Sequence, residues 1–253
     1  MTEKSLEGRV ALVTGGAKRI GRAIALALAE RGAAVVVNAR SDRAAAESVA
    51  REIERRGGLG TACIADVSDP AAVEAMIAAA VAVFGGLDIL VNNAAVRRSV
   101  DFASLDYAEW RAIMAIALDG TYLCCRAALP HLAKSGRGRI VNIGGVTSHI
   151  GARGRAHVVA AKAGVVGLTK ALALELGPSG ITVNCLAPGL IEDEGDDPQD
   201  IAFRRRHTPP EQIPLGRIGV PQDVGGAVAA LCSDDFAYLT GQTIHLNGGV
   251  FLW

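Results

Sequence analysis

The sequence predicts an α/β fold: one doubly wound, parallel, seven-stranded sheet in a single domain. Three observations carry this expectation: seven short aliphatic runs, longer alanine-rich stretches of helical period between them, and a glycine-rich turn straight after the first run. Strands covered by helices on both faces read as near-continuous apolar runs, and their alternation with helices favours a parallel sheet. Right-handed crossovers then place ligands beyond the carboxyl ends of the strands.

Strand expectations fall at Val10–Val13, Ala34–Val37, Thr61–Ala65, Leu87–Val91, Arg139–Ile143, Ile181–Leu186 and Thr243–Leu246. Helical period fills the gaps at Arg22–Arg31, Arg43–Arg55, Pro70–Phe84, Tyr107–Lys134, Val158–Leu176 and Pro221–Cys232. No repeat, low-complexity tract or domain linker interrupts the pattern. Residues 190–217 stand apart, with the acidic run Glu192-Asp193-Glu194 and the basic run Arg204-Arg205-Arg206-His207. Length, prolines and mixed charge suit a mobile lid over a site.

At 253 residues and 50% hydrophobic, the chain has enough apolar material for one sizeable core. Lys plus Arg and Asp plus Glu balance at 26 each, so no net field attracts nucleic acid or an anionic membrane. Cys63, Cys124, Cys125, Cys185 and Cys232 lack disulfide or metal spacing and read as reduced thiols. The charged start MTEKSLEGR does not resemble a signal peptide. No apolar run approaches the roughly 20 residues that span a bilayer. A soluble cytoplasmic protein, with no membrane or nucleic-acid partner, is the expectation.

The turn Thr14-Gly15-Gly16-Ala17-Lys18-Arg19-Ile20-Gly21 joins the first strand to the first helix. Glycines there let the backbone approach a pyrophosphate, and the helix N-terminus offers free N–H groups. This is the cofactor end of a Rossmann-type domain, with Gly15, Lys18, Arg19, Ile20 and Gly21 as its cradle. The second strand leads into Ala39-Arg40-Ser41, where an NAD-selective site carries an acidic residue. Arg40, Ser41, Lys18 and Arg19 suit a 2′-phosphate instead, because arginine makes bidentate charge-assisted bonds to it. NADP(H) is the cofactor expected.

Over nearly its whole length the chain resembles the short-chain dehydrogenases/reductases. The resemblance rests on Thr14-Gly15…Gly21, Asp66-Val67, Asn92-Asn93-Ala94-Ala95, Lys162 in an AAKAG helix, Asn184, Pro188-Gly189, Thr240-Gly241-Gln242 and Asn247-Gly248-Gly249. It implies that Asp66 and Val67 contact adenine, and that the Asn93-Ala94 turn supports the central strand and the ribose. Pro188 and Gly189 would flank the nicotinamide, and Lys162 would bind ribose.

Family members act through Asn, Ser, Tyr and Lys. Here the tyrosine position, one helical turn before Lys162, is Val158; the serine position is Gly145 and the asparagine position Ala117. A threonine common after Pro-Gly is replaced by Asp193. Val, Gly and Ala side chains donate no proton and direct no hydrogen bond at an oxygen, so the usual ketone reduction is excluded.

Polar groups in the stretch that normally borders the substrate are Thr147, Ser148, His149, Arg153, Arg155 and His157. Lys162, Arg155 and His157 are the catalytic candidates: arginine to hold a carboxylate or carbonyl oxygen, histidine as an acid near neutral pH. The plain alternative puts His157 at solvent or a subunit contact. Three functions remain open on these residues: a reductase of activated C=C or C=N bonds, a silent NADP(H)-binding regulator or partner, and a non-redox lyase or cyclase. The family's helix pairing, together with the apolar ending Val250-Phe251-Leu252-Trp253, leads us to expect a D2 homotetramer or a dimer.

Overall fold

The structure is a computed structural model, describing residues 4–96, 98–193, 201, 202, 205 and 209–252. Seven strands form one parallel sheet in the order β3-β2-β1-β4-β5-β6-β7. They are β1 Val10–Val13, β2 Ala34–Ala39, β3 Leu59–Ile64, β4 Ile89–Asn92, β5 Arg139–Ile143, β6 Thr182–Pro188 and β7 Thr243–Leu246. Strand order reverses direction between β1 and β4, which opens a crevice at their carboxyl ends.

Successive side chains of a strand point to opposite faces, and here both faces are covered. On β1, Ala11 and Val13 join one apolar cluster while Val10 and Leu12 join the other. β2 divides likewise, Val35 and Val37 against Ala34 and Val36. Two-sided burial is therefore why these strands are aliphatic throughout rather than alternating. Each large side chain removed from water contributes about 1.5–3 kcal/mol.

The first cluster is closed by α1 (Arg19–Glu30) and the helix Pro221–Leu231. The second lies under α3 (Pro70–Phe84), α5 (Gly120–Ser135) and α7 (Ala156–Leu176). Three further α-helices are α2 (Arg43–Arg55), α4 (Tyr107–Met114) and the four-residue α6 (Thr147–Ile150). α2 and α3 begin on carboxylate caps: Asp42 accepts from the Ala45 N–H at 3.0 Å and Asp69 from that of Ala71 at 2.9 Å.

Three expectations need correction. α1 starts at Arg19 rather than Arg22, because its first turn lies inside the glycine motif. The predicted helix Tyr107–Lys134 is α4 and α5 joined by a π-turn at Ala115–Asp119, a bulge that the sequence does not reveal. Finally, Tyr107–Ser135 and Ala156–Ser179 are long and apolar enough to span a bilayer, contrary to the sequence expectation. Both pack on the sheet here, α5 against β4 and α7 against β6.

Within residues 190–217, Ile191 bridges to Gly219 and Arg205 forms a two-armed pair with Glu192, Nη2 to Oε2 at 2.7 Å. Glu194, Arg204, Arg206 and His207 lie outside the described residues, as does Trp253 of the apolar ending.

Candidate active site

The glycine turn is locked to the switch point by side chains from three strands. Thr14 Oγ1 accepts from the N–H groups of Asn93 and Ala94 at 3.0 and 3.1 Å. Asn93 Nδ2 in turn donates to the carbonyl oxygens of Thr14 and Gly15, both at 3.0 Å. Asn38 of β2 accepts from the Gly15 N–H at 3.2 Å. Asn93 and Ala94 therefore act through the loop that they brace. Only glycine fits at the two ends of this turn. Gly15 sits at φ +59°, and a Cβ on Gly21 would lie 2.1 Å from the Gly15 carbonyl oxygen. The first helical hydrogen bond of α1 runs from the Arg22 N–H to the Lys18 carbonyl at 3.2 Å, so the N–H groups of Ile20 and Gly21 lie ahead of it, where a helix N-terminus favours an anion.

At the far end of the crevice, Arg40 and Ser41 are exposed just beyond β2. Lys18 Nζ lies 2.6 Å from Asp42 Oδ2. The Lys18 hydrogen bond, helped by the Ala45 N–H, holds the Asp42 carboxyl below its usual range. Sequence reading missed Asp42 as the partner of Lys18, although its Ser-Asp start to a helix is a capping signal. Asp66 accepts from Ser68 Oγ at 2.6 Å and from the Ser68 N–H at 2.9 Å. These bonds and the nearby Arg40 charge lower its pKa. Val67 is buried beside Gly120.

The candidate reacting end lies on β5, β6 and α7. Lys162 is buried and donates to the Ile143 carbonyl oxygen at 2.5 Å. Val158, one turn earlier, joins Ala161, Ile113 and Ala117 in a small apolar cluster. Ala117 lies inside the π-turn, and its carbonyl accepts from Thr121 Oγ1 at 2.9 Å. A Cβ on Gly145 would meet nothing closer than Thr147 Oγ1 at 3.8 Å, so this position is open. The Val146 N–H bonds to the Pro188 carbonyl at 2.9 Å, which draws the 144–148 turn against Pro188-Gly189.

The two other catalytic candidates part company. Arg155 is half-buried at the start of α7 and makes no ion pair among the described residues. His157 is fully buried, so the reading that placed it at solvent is wrong. Its Nε2 lies 3.9 Å from Glu109 Oε1, on α4, and neither ring nitrogen has a hydrogen-bond partner among the described residues. Residues 157 and 158 are adjacent on a helix and do not share a face, so the structure turns His157 toward α4.

A protein-family profile described as "Enoyl-(Acyl carrier protein) reductase" matches residues 15–251. This chain belongs to the short-chain dehydrogenase/reductase family. Among its relatives, the 3-oxoacyl-[acyl-carrier-protein] reductase FabG of Vibrio cholerae is 41% identical over 248 residues, 98% of this chain and 99% of that protein. FabG of Staphylococcus aureus is 42% identical over 242 residues, 96% of this chain and 98% of its own. A dehydrogenase/reductase of Sinorhizobium meliloti 1021 superposes with a TM-score of 0.90 at 38% identity, covering 99% of this chain and 98% of its own. As a short-chain dehydrogenase/reductase, the chain is an oxidoreductase of a family that uses a nicotinamide cofactor.

Proposed function

We propose that this protein is an NADP(H)-dependent reductase acting on a polarised C=C or C=N bond. The observation that supports the reading is a braced glycine turn suited to a dinucleotide, beside a candidate reacting end where Val158, Gly145 and Ala117 leave only Lys162 of the usual polar set.

The residues present fit the cofactor. At Gly15 and Gly21 a Cβ would meet the chain itself, so glycine keeps the turn closed in the form that receives a pyrophosphate, and Arg40, Ser41 and Lys18 suit a 2′-phosphate. Asp66 and Val67 would border adenine, Lys162 the ribose, and Pro188 and Gly189 the nicotinamide. When bound, the cofactor supplies the hydride. A ketone oxygen gains full negative charge as hydride arrives and needs a donor in place. An iminium carbon accepts hydride with no oxygen to protonate, and a conjugated alkene passes charge to a remote oxygen before water protonates carbon. Arg155 is suited to hold that oxygen or a carboxylate.

The relatives named as 3-oxoacyl reductases reduce a ketone, and the replacements at 158, 145 and 117 separate this chain from that chemistry. We place it in the cytoplasm as a homotetramer or dimer. The most apolar stretches of Tyr107–Ser135 and Ala156–Ser179 are only 39% and 33% buried, and Tyr107 and Leu174 are exposed. The test presents NADPH and purified protein to enones, imines and 3-oxoacyl thioesters, following the loss of nicotinamide absorbance. Turnover of an enone or imine supports the reading. Tight NADPH binding with no turnover in any class replaces it with the silent partner or regulator.

A further inference from the structure

An acceptor that gathers charge on an oxygen as hydride arrives is helped by a hydrogen-bond donor at that oxygen, and the turn after β5 carries two hydroxyls. Ser148 Oγ is engaged, donating from α6 back to the Gly145 carbonyl oxygen at 2.7 Å. Thr147 Oγ1 has no hydrogen-bond partner among the described residues, and Thr147 is half-buried. Its oxygen lies 3.8 Å from where a Cβ of residue 145 would stand, and beyond the chain neighbours 144 and 146 no other described atom comes within 4 Å of that point. The same turn is fixed on both sides. The Gly144 N–H bonds to Leu186 O at 2.8 Å and the Val146 N–H to Pro188 O at 2.9 Å. Lys162 grips Ile143 immediately before it.

We infer that Thr147 is the substrate-anchoring hydroxyl of this site, reaching into the space that Gly145 leaves open. A serine at 145 would place its oxygen about one covalent bond beyond that Cβ. The threonine hydroxyl approaches the same space from two residues further along the chain. The exchange moves the anchor and enlarges the site, so a bulkier acceptor fits between the turn and Val158. Thr147 Oγ1 donates its proton as a hydrogen bond to the acceptor's oxygen, or to the lone pair of a neutral imine nitrogen, and keeps it; no bond to hydrogen breaks at Thr147. This inference rests on the reductase reading, and its test separates the two.

The first arm uses the full-length Ala117→Asn/Val158→Tyr protein, with Gly145 unchanged, NADPH and acetoacetyl-coenzyme A. This protein is expected to oxidise NADPH. Adding Thr147→Val lowers kcat/KM about 100-fold, the usual loss for an oxygen-directed donor. Adding Thr147→Ser preserves the rate within about threefold, and Gly145→Ser rescues the Thr147→Val protein. NADPH affinity is the same in all of them. Unchanged turnover on Thr147→Val would overturn the inference, as would a silent parent that Gly145→Ser alone awakens. The second arm needs neither new residue. Acetoacetyl-coenzyme A binding to the natural chain with NADP+, followed by calorimetry, weakens about tenfold in Thr147→Val and not in Thr147→Ser, the value of one hydrogen bond. Equal affinities in the natural and Thr147→Val proteins would also overturn it. Failure of the natural chain to reduce any enone or imine, with these Thr147 effects intact, would sink the reductase reading alone.

Discussion

Lys162 donates from its buried ammonium to the carbonyl oxygen of Ile143 at 2.5 Å, which ties the middle of α7 to the end of β5. The lysine is thus a structural tie as well as a candidate ribose ligand, and it keeps its place although Val158 stands one turn before it. Lys162→Met fills similar volume but leaves the Ile143 carbonyl without this partner. The expected cost is about 1–3 kcal/mol of stability, read by urea unfolding. NADPH affinity falls about tenfold to a hundredfold if the ammonium also holds the ribose. A variant that loses stability but binds NADPH normally would confine Lys162 to the tie.

Gly21 allows the glycine turn to fold onto α1. Gly21→Ala drives a methyl group to 2.1 Å from the Gly15 carbonyl oxygen, a rigid backbone atom. The turn must open, and NADPH binding should fall at least tenfold while far-UV circular dichroism stays that of the parent. Overpacking of this kind costs about 1–3 kcal/mol, enough for that loss. Normal binding by Gly21→Ala would place the pyrophosphate elsewhere.

The fold was legible because burial on both faces writes aliphatic runs into the sequence, as at Val10–Val13 and Arg139–Ile143, whose bounds agree with the structure. Edge strand β3 was less legible, since Leu59–Ile64 is only partly buried and includes Gly60. In the site, the replacements at Val158, Gly145 and Ala117 could be read from their spacing to Lys162 and the family pattern. Burial of His157 could not. The sequence of α7 is apolar nearly all round, so periodicity does not mark which side faces α4. Nor could the sequence distinguish Thr147 from Ser148, because only the fold shows which hydroxyl is already engaged.

His149 and His245 meet edge to face, ring centroids 4.6 Å apart, and Phe251 lies 5.0 Å from His245. Burial lowers the pKa of both histidines below the ordinary 6.5, and for His149 the His245 ring and Lys170 add to the effect. The unfolded chain therefore takes up these protons first. Stability is complete above pH 6.5 and declines as pH falls through 6.5 toward the lowered folded values. The melting temperature should drop between pH 7.5 and about 5.5, and His149→Gln/His245→Gln should flatten that decline. An unchanged slope in the double variant would assign it to other groups.

Asp234 is exposed, yet it pairs with two buried arginines, Arg9 and Arg139, the latter at 3.3 Å. Arg9's hydrogen bond is the main reason its carboxyl is held below the ordinary 3.8. Asp234→Asn leaves both guanidinium groups short of a counter-charge at the amino edge of the sheet. Removing one partner of a buried pair costs about 3–5 kcal/mol. Solvent around Asp234 reduces this to about 1–2 kcal/mol, measurable by urea unfolding at pH 7. The gap between parent and variant should narrow as pH falls below 3.8 and close only below the lowered folded value, where the parent's carboxylate is protonated as well. No difference at pH 7 would mean that solvent alone satisfies the arginines.

The most direct test of the account is a fluorescence titration of the purified protein with NADPH and NADH, repeated on Arg40→Ala. The account predicts that NADPH binds at least tenfold more tightly than NADH, and that Arg40→Ala removes most of the difference while leaving NADH affinity unchanged. Equal affinities in the natural protein, or binding of neither nucleotide, would contradict it.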